Sequence, residues 1–254
     1  MLLGWKSLSI LILAFLTAAL TLLAGCAKEL QTCTNVAKDQ RASFMAPLVR
    51  YPVYIIPDKG TSSSDGFTEA EIGYIAGTVR EWNTVGQKLF GHDLFRLGPP
   101  GAVPEGLRNG DPHDCKQSIG DQTRFYVVRE TETDRWKALG FNASIPGATI
   151  RCSAGAELSQ QVIYLNPKLV DSNQFSSVVL HELGHAAGLD HSCMSGAGKP
   201  DYVGCDKIKP GHPYQLAVMF PSLTRGNESV HPEIKDTLKP NDSERTQCLY
   251  NPQQ

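Results

Sequence analysis

Residues 181–191 read HELGHAAGLDH, placing three histidines, one glutamate and a glycine where a metal ion could use them. His181 and His185 are four apart, so a helix projects both imidazoles from one face, one turn above the other. Glu182 stands beside them. Gly188 can leave the helix with positive φ, a conformation costly for a residue with a Cβ. The chain can then turn back and deliver His191 as a third ligand. Three neutral imidazoles with one open position make a catalytic zinc site, not a closed structural one. The spacing HExxHxxGxxH is far more specific than a bare HExxH, because the glycine and third histidine remove most chance matches. The competing reading is a helix whose histidines only pack or face water.

Such ligands need a rigid mount. Asp171 to Asn173 offer N-cap residues for a helix over Phe175 to Ala187. Val178, Val179, Leu180 and Leu183 lie on several faces of it, so it should be largely buried. Rigidity of that kind holds imidazole nitrogens about 2.0–2.1 Å from zinc. Upstream, Tyr51 to Ile56 is a β-branched and aromatic run expected as the first strand. A long helix should follow to about Phe90, with Thr68 and Glu71 as a capping box and Phe67 and Ile72 at the staple positions. Its Ile75, Val79 and Trp82 recur at helical spacing and read as core. Further strands are expected at Asp93 to Leu97, Thr123 to Arg129, Ala148 to Cys152 and Gln161 to Leu165. Gly98 to Gly120 reads as a long surface loop, and Glu130 to Lys137 as a charged connection. His113 and Asp114 in that loop are two candidate ligands and do not make a site. A last helix is expected over Asp242 to Tyr250, capped by Asn241 with Glu244 three residues on. His92, His212 and His231 belong to no constellation.

Composition sets the class and the address. The chain has 254 residues, 41% hydrophobic and 20% charged, with net charge −2, so no basic field points to nucleic acid. Residues 1–25 read as a leader: Lys6 is the positive start and Leu8 to Leu23 the apolar run. That run ends in Leu23-Ala24-Gly25-Cys26, which resembles a bacterial lipobox with Cys26 as the lipidated mature N-terminus. An ordinary secretory signal and an uncleaved anchor are the alternatives, and either still exports the protein. Residues 26–47 read as a tether and 48–254 as a single catalytic domain. Six cysteines follow Cys26, which in an exported chain suggests disulfides. Cys193 and Cys205, which bracket a Gly/Ser/Lys-rich loop, are the first pair expected. Cys33 is read as a disulfide or free tether cysteine, with an inhibitory thiolate over the zinc as a less supported alternative.

Beyond the zinc motif, the chain resembles the metzincin metalloproteases, and among them the matrixins, over roughly Tyr51 to Tyr250. Ser192 directly after the third histidine has the matrixin form. Met219 in VMFP resembles the Met-turn that lies under the ligands. Leu238-Lys239-Pro240-Asn241-Asp242, then Gln247-Cys248-Leu249-Tyr250, resembles the closing helix. The resemblance implies an α+β fold: a twisted mixed sheet with a long packing helix, an active-site helix and a C-terminal helix. It also implies an antiparallel substrate beside an edge strand, expected here at Gln161 to Leu165. Departures are the twenty-seven residues between His191 and Met219, Asn241 in place of an aspartate, and the lack of the usual inhibitory propeptide motif. No further calcium or zinc ligands are recognisable.

The implied activity is peptide-bond hydrolysis by zinc-activated water, with Glu182 as general base and a protein or peptide as substrate. Met219 would be an apolar floor rather than a ligand. One catalytic zinc is expected, in a monomer held to the membrane by its N-terminal lipid in the bacterial envelope, the outer membrane favoured over the inner. The alternative is a lipid-anchored zinc-containing binding protein without physiological proteolysis. The intact Glu182 speaks against it, since a binder needs no general base.

Overall fold

The computed structural model describes residues 51–60, 66–108, 124–130, 132–142, 144–154, 157–166, 172–193, 204–221 and 234–250. Cys26, Cys33, Cys115, His113, Asp114 and His231 lie outside them. Runs of β-branched and aromatic residues form one sheet from β1 (Val53–Pro57), β2 (Phe95–Leu97), β3 (Arg124–Arg129), β4 (Gly147–Ala154) and β5 (Glu157–Leu165). Their order is β2-β1-β3-β5-β4, and all neighbours pair parallel except β4 with β5. Among the described residues the α-helices are α1 (Glu69–Phe90), α2 (Glu105–Arg108), α3 (Thr133–Ala138), α4 (Ser172–Ala186), α5 (Pro213–Leu216) and α6 (Pro240–Tyr250). The α+β class is met: a mixed sheet, a long packing helix, the histidine-bearing helix and a C-terminal helix.

Side chains alternate across a strand, so β3 and β5, inside the sheet, feed two cores. Phe125, Val127, Ile163 and Leu165 face α1 and α4, whose Trp82, Val179 and Leu183 complete the larger core. Val128, Val162 and Tyr164 face the other way, onto Leu107 and Trp136. α1 starts at its capping box: Thr68 accepts from the Glu71 N–H, and Glu71 reaches back to the Thr68 N–H. It ends at Gly91, whose φ of 75° takes the left-handed cap. The Trp82 indole donates to Leu180 O at 2.9 Å, locking α1 to α4.

Four expectations need correction. Gln161 to Leu165 is not an edge strand: β5 is hydrogen-bonded on both sides, to β3 and β4, and β4 is the edge among the described strands. The hairpin folds β4 outward, leaving the second strand inside. Glu130 to Lys137 is not merely a connection. It contains α3, because Trp136 is wholly buried in the second core and its indole donates to Glu130 O at 3.3 Å. Asn241 is not a cap but lies inside α6, which begins at Pro240, a residue suited to a first turn. There Asp242 accepts from the Lys239 N–H at 3.0 Å, doing the capping from the first turn. A short helix, α2, also interrupts the loop expected from Gly98.

Candidate metal centre

His181 and His185 occupy successive turns of α4, and the structure brings His191 to them. The three ligand atoms lie within 4.8 Å of one another. His181 Nδ1 is 2.8 Å from Val218 O, and His185 Nδ1 is 2.8 Å from Leu189 O. A carbonyl can only accept, so Nδ1–H donates in both rings and each Nε2 keeps its lone pair for a metal. His185 Nε2 and His191 Nε2 stand 3.2 Å apart. Tetrahedral zinc with bonds of about 2.0–2.1 Å separates two nitrogens by about 3.3 Å, so the His185–His191 pair has a spacing zinc fits, and His181 completes a three-imidazole donor set.

Burial disfavours the charged imidazole. It lowers the His181 pKa to about 3, with repulsion from His191, Lys235 and Arg245 adding to burial against the Val218 bond. His185 is held well below its ordinary value, mainly by burial and then by the other two histidines. His191 is lowered too, burial outweighing the attraction of Asp190. All three are therefore neutral near pH 7, the state that ligates.

The third ligand depends on a reversal after α4. Gly188 takes φ 102°, and its N–H donates to His185 O at 2.9 Å. Asp190 Oδ1 accepts the His191 N–H at 2.8 Å. α6 fixes the reversal from outside: Arg245 Nη2 donates to Asp190 O and His191 O at 3.0 and 3.2 Å, and Tyr250 OH to Ala187 O at 2.8 Å.

Met219 is wholly buried beneath α4. A Cβ at Gly184 would overlap its Sδ and sit 2.9 Å from Trp82 Cζ2, so the floor requires a glycine in the helix. The turn carrying Met219 is tied down by Asp242, whose carboxylate accepts the Val218 and Met219 N–H groups at 2.9 and 3.1 Å. Burial nevertheless raises the Asp242 pKa, opposed by those bonds and by the Lys239 N–H. Ser192 N–H donates to Met219 O at 2.8 Å and Ser192 Oγ to Tyr214 O at 2.6 Å. Lys235 Nζ donates to Ala217 O at 2.6 Å and Gln215 O at 2.9 Å. Cys193 and Cys205 form a disulfide, Cα atoms 5.1 Å apart, and Cys248 is also disulfide-bonded.

Glu182 is 4% exposed, and burial raises its pKa to about 7 against a hydrogen bond from Thr149. Thr149 Oγ1 donates to Glu182 Oε2 at 2.7 Å from the edge strand β4. Arg151, two residues along, donates to His185 O at 3.2 Å, so β4 flanks the ligand helix. The arrangement joins a three-histidine metal cradle, a buried carboxylate held by Thr149, and an edge strand.

Sequence reasoning missed Thr149, Gly184, Lys235 and Arg245. Only Gly184 had a local signal: glycine inside a helix costs about 1 kcal/mol and marks a close approach. His212 accepts the Tyr214 N–H at the start of α5, and His92 stacks on Tyr51; neither joins the centre.

No protein-family model matches the chain, and no curated protein does. Solved structures similar to it include high choriolytic enzyme 1, a hatching-enzyme zinc protease from the medaka fish Oryzias latipes. That likeness has 11% identity and a TM-score of 0.37, covering 82% of this chain and 94% of that one. Myroilysin is similar at 13% identity and a TM-score of 0.30, covering 81% of this chain and 96% of that one. Likenesses this distant carry no functional argument, and the chemistry rests on the chain's own side chains.

Proposed function

We propose that this chain is a zinc-dependent endopeptidase of the matrixin-like metzincin type. One observation carries the proposal. Nδ1–carbonyl bonds leave the Nε2 atoms of His181 and His185 free for a metal, His185 Nε2 stands 3.2 Å from His191 Nε2, and a buried carboxylate lies on the same helix. Zinc held there would polarise a scissile carbonyl and supply an activated water near neutral pH. Glu182 takes the proton of the attacking water and returns it to the leaving amine. Burial raises its pKa in the metal-free protein, which strengthens the carboxylate as a proton acceptor. An extended substrate adds to the free side of β4, whose backbone groups offer main-chain hydrogen bonds.

Glu182→Gln tests the base. It should keep zinc, measured by metal analysis, while cleavage of an unstructured protein falls by about 10²–10⁴-fold. Undiminished cleavage by the zinc-loaded variant would remove Glu182 from the mechanism.

The proposal includes export and anchoring through a lipid on Cys26, with a protein or peptide substrate outside the cytoplasm. The Cys193–Cys205 bridge suits an oxidising compartment. The protein acts as a monomer with one zinc, and no structural calcium or second zinc is assigned.

A further inference from the structure

Among the polar side chains around the centre, Thr149 makes the contact that bears on proton transfer. It projects from β4 towards α4, two residues from Gly147 on the same face. Its Oγ1 lies 2.7 Å from Glu182 Oε2 and 3.0 Å from Glu182 O. A hydroxyl has one proton, and with Glu182 ionised, as a general base must be, the shorter contact to the carboxylate takes it. Gly147 shapes the other side of the carboxylate: a Cβ there would stand 3.0 Å from Glu182 Oε1 and 2.7 Å from Val178 Cγ1.

We propose that Thr149 is the positioning residue for the general base: its hydroxyl holds Glu182 Oε2, and Gly147 leaves the room that Oε1 occupies. This rests on the reading of Glu182 as the base. A glutamate side chain on a helix has three free torsions, so an unheld carboxylate spends much of its time misaimed. Thr149 is suited to the task because its β-branched side chain is stiff at χ1 and a strand holds its backbone. Anchoring one oxygen leaves the other to accept the proton. Because β4 is also the edge along which substrate would lie, substrate pairing and base alignment share one strand. A shift of β4 displaces both together.

Thr149→Val removes the donor and keeps the shape, whereas Thr149→Ser keeps the donor. With zinc loaded, Thr149→Val should retain one zinc and the wild-type melting temperature. Its kcat should fall about 10–100-fold with KM within about twofold, a loss typical of groups that orient a metal-site residue. Thr149→Ser should recover kcat to within about threefold of wild type. Crystal structures of the zinc-loaded wild type and Thr149→Val should show Oε2 held by Thr149 in the first and the carboxylate moved in the second. Unchanged kcat in the valine variant, a serine variant as impaired as valine, or zinc loss from the valine variant would each overturn the proposal. So would a wild-type structure in which the hydroxyl turns away from Glu182. If the wild type proves inactive, the endopeptidase reading fails, while the crystal structures still decide whether Thr149 holds the carboxylate.

Discussion

At the residue scale, each group in the centre is set by one or two hydrogen bonds, and each makes a separate prediction. The histidines are held neutral by burial, so the metal-free protein has a defined pH response. Their folded pKa values lie below the unfolded value of about 6.5, so the unfolded chain binds more protons as pH falls. Their contribution to stability is complete above about pH 6.5 and is lost on acidification, down to about pH 3 for His181. Between its folded and unfolded pKa values a histidine gives a slope of about 1.4 kcal/mol per pH unit. Glu182, whose folded pKa is raised, opposes this trend below about pH 7, so the clean test is the Glu182→Gln variant. After chelation its melting temperature should be lower at pH 5 than at pH 7.5, and equal temperatures would mean the imidazoles are not buried neutral. Gly184→Ala should destabilise by about 1–3 kcal/mol, because the new methyl must displace Met219 and Trp82. Denaturant titration measures this, and an unchanged midpoint would show the floor yields freely.

At the element scale, α4 supplies two ligands but α6 secures the third. Arg245 is wholly buried and holds the carbonyls of Asp190 and His191. Arg245→Ala should weaken zinc affinity about 10–100-fold while the protein stays folded, as removing outer partners of metal ligands does. Competition with a chelator reads this out; unchanged affinity would make α6 a bystander. What sequence reveals about elements follows the range of the forces involved. The capping box of α1 and the spacing of His181, Glu182 and His185 are contacts within one turn, so they are legible. Strand order is not local: Gln161 to Leu165 has the composition of an edge or an interior strand alike, and only pairing with β3 places it inside. α3 is short and charged, and its single deep anchor, Trp136, shows no period. Truncating Trp136 to alanine should cost about 3–5 kcal/mol, a size reserved for core groups and absent from surface connections.

At the scale of the whole molecule, the centre is a junction of four distant pieces of chain: β4, α4, the Met219 turn and α6. The motif 181–191 made the histidine cluster legible because its three histidines and the proposed base share one stretch. The supports were not legible. Thr149 lies 33 residues before Glu182 in the chain, and Asp242 is 23 residues beyond Met219; no spacing rule joins such pairs. The whole-chain address is also testable. Cys26→Ser should move the protein from the membrane to the soluble fraction of envelope extracts, and unchanged membrane association would discard the lipid anchor. The most direct test of the central claim is digestion of a broad peptide library by the purified domain with zinc, with chelator, and with zinc restored after chelation. The proposed centre requires internal peptide-bond cleavage that chelation abolishes and zinc restores. Cleavage that survives chelation, or none with zinc bound, would contradict it.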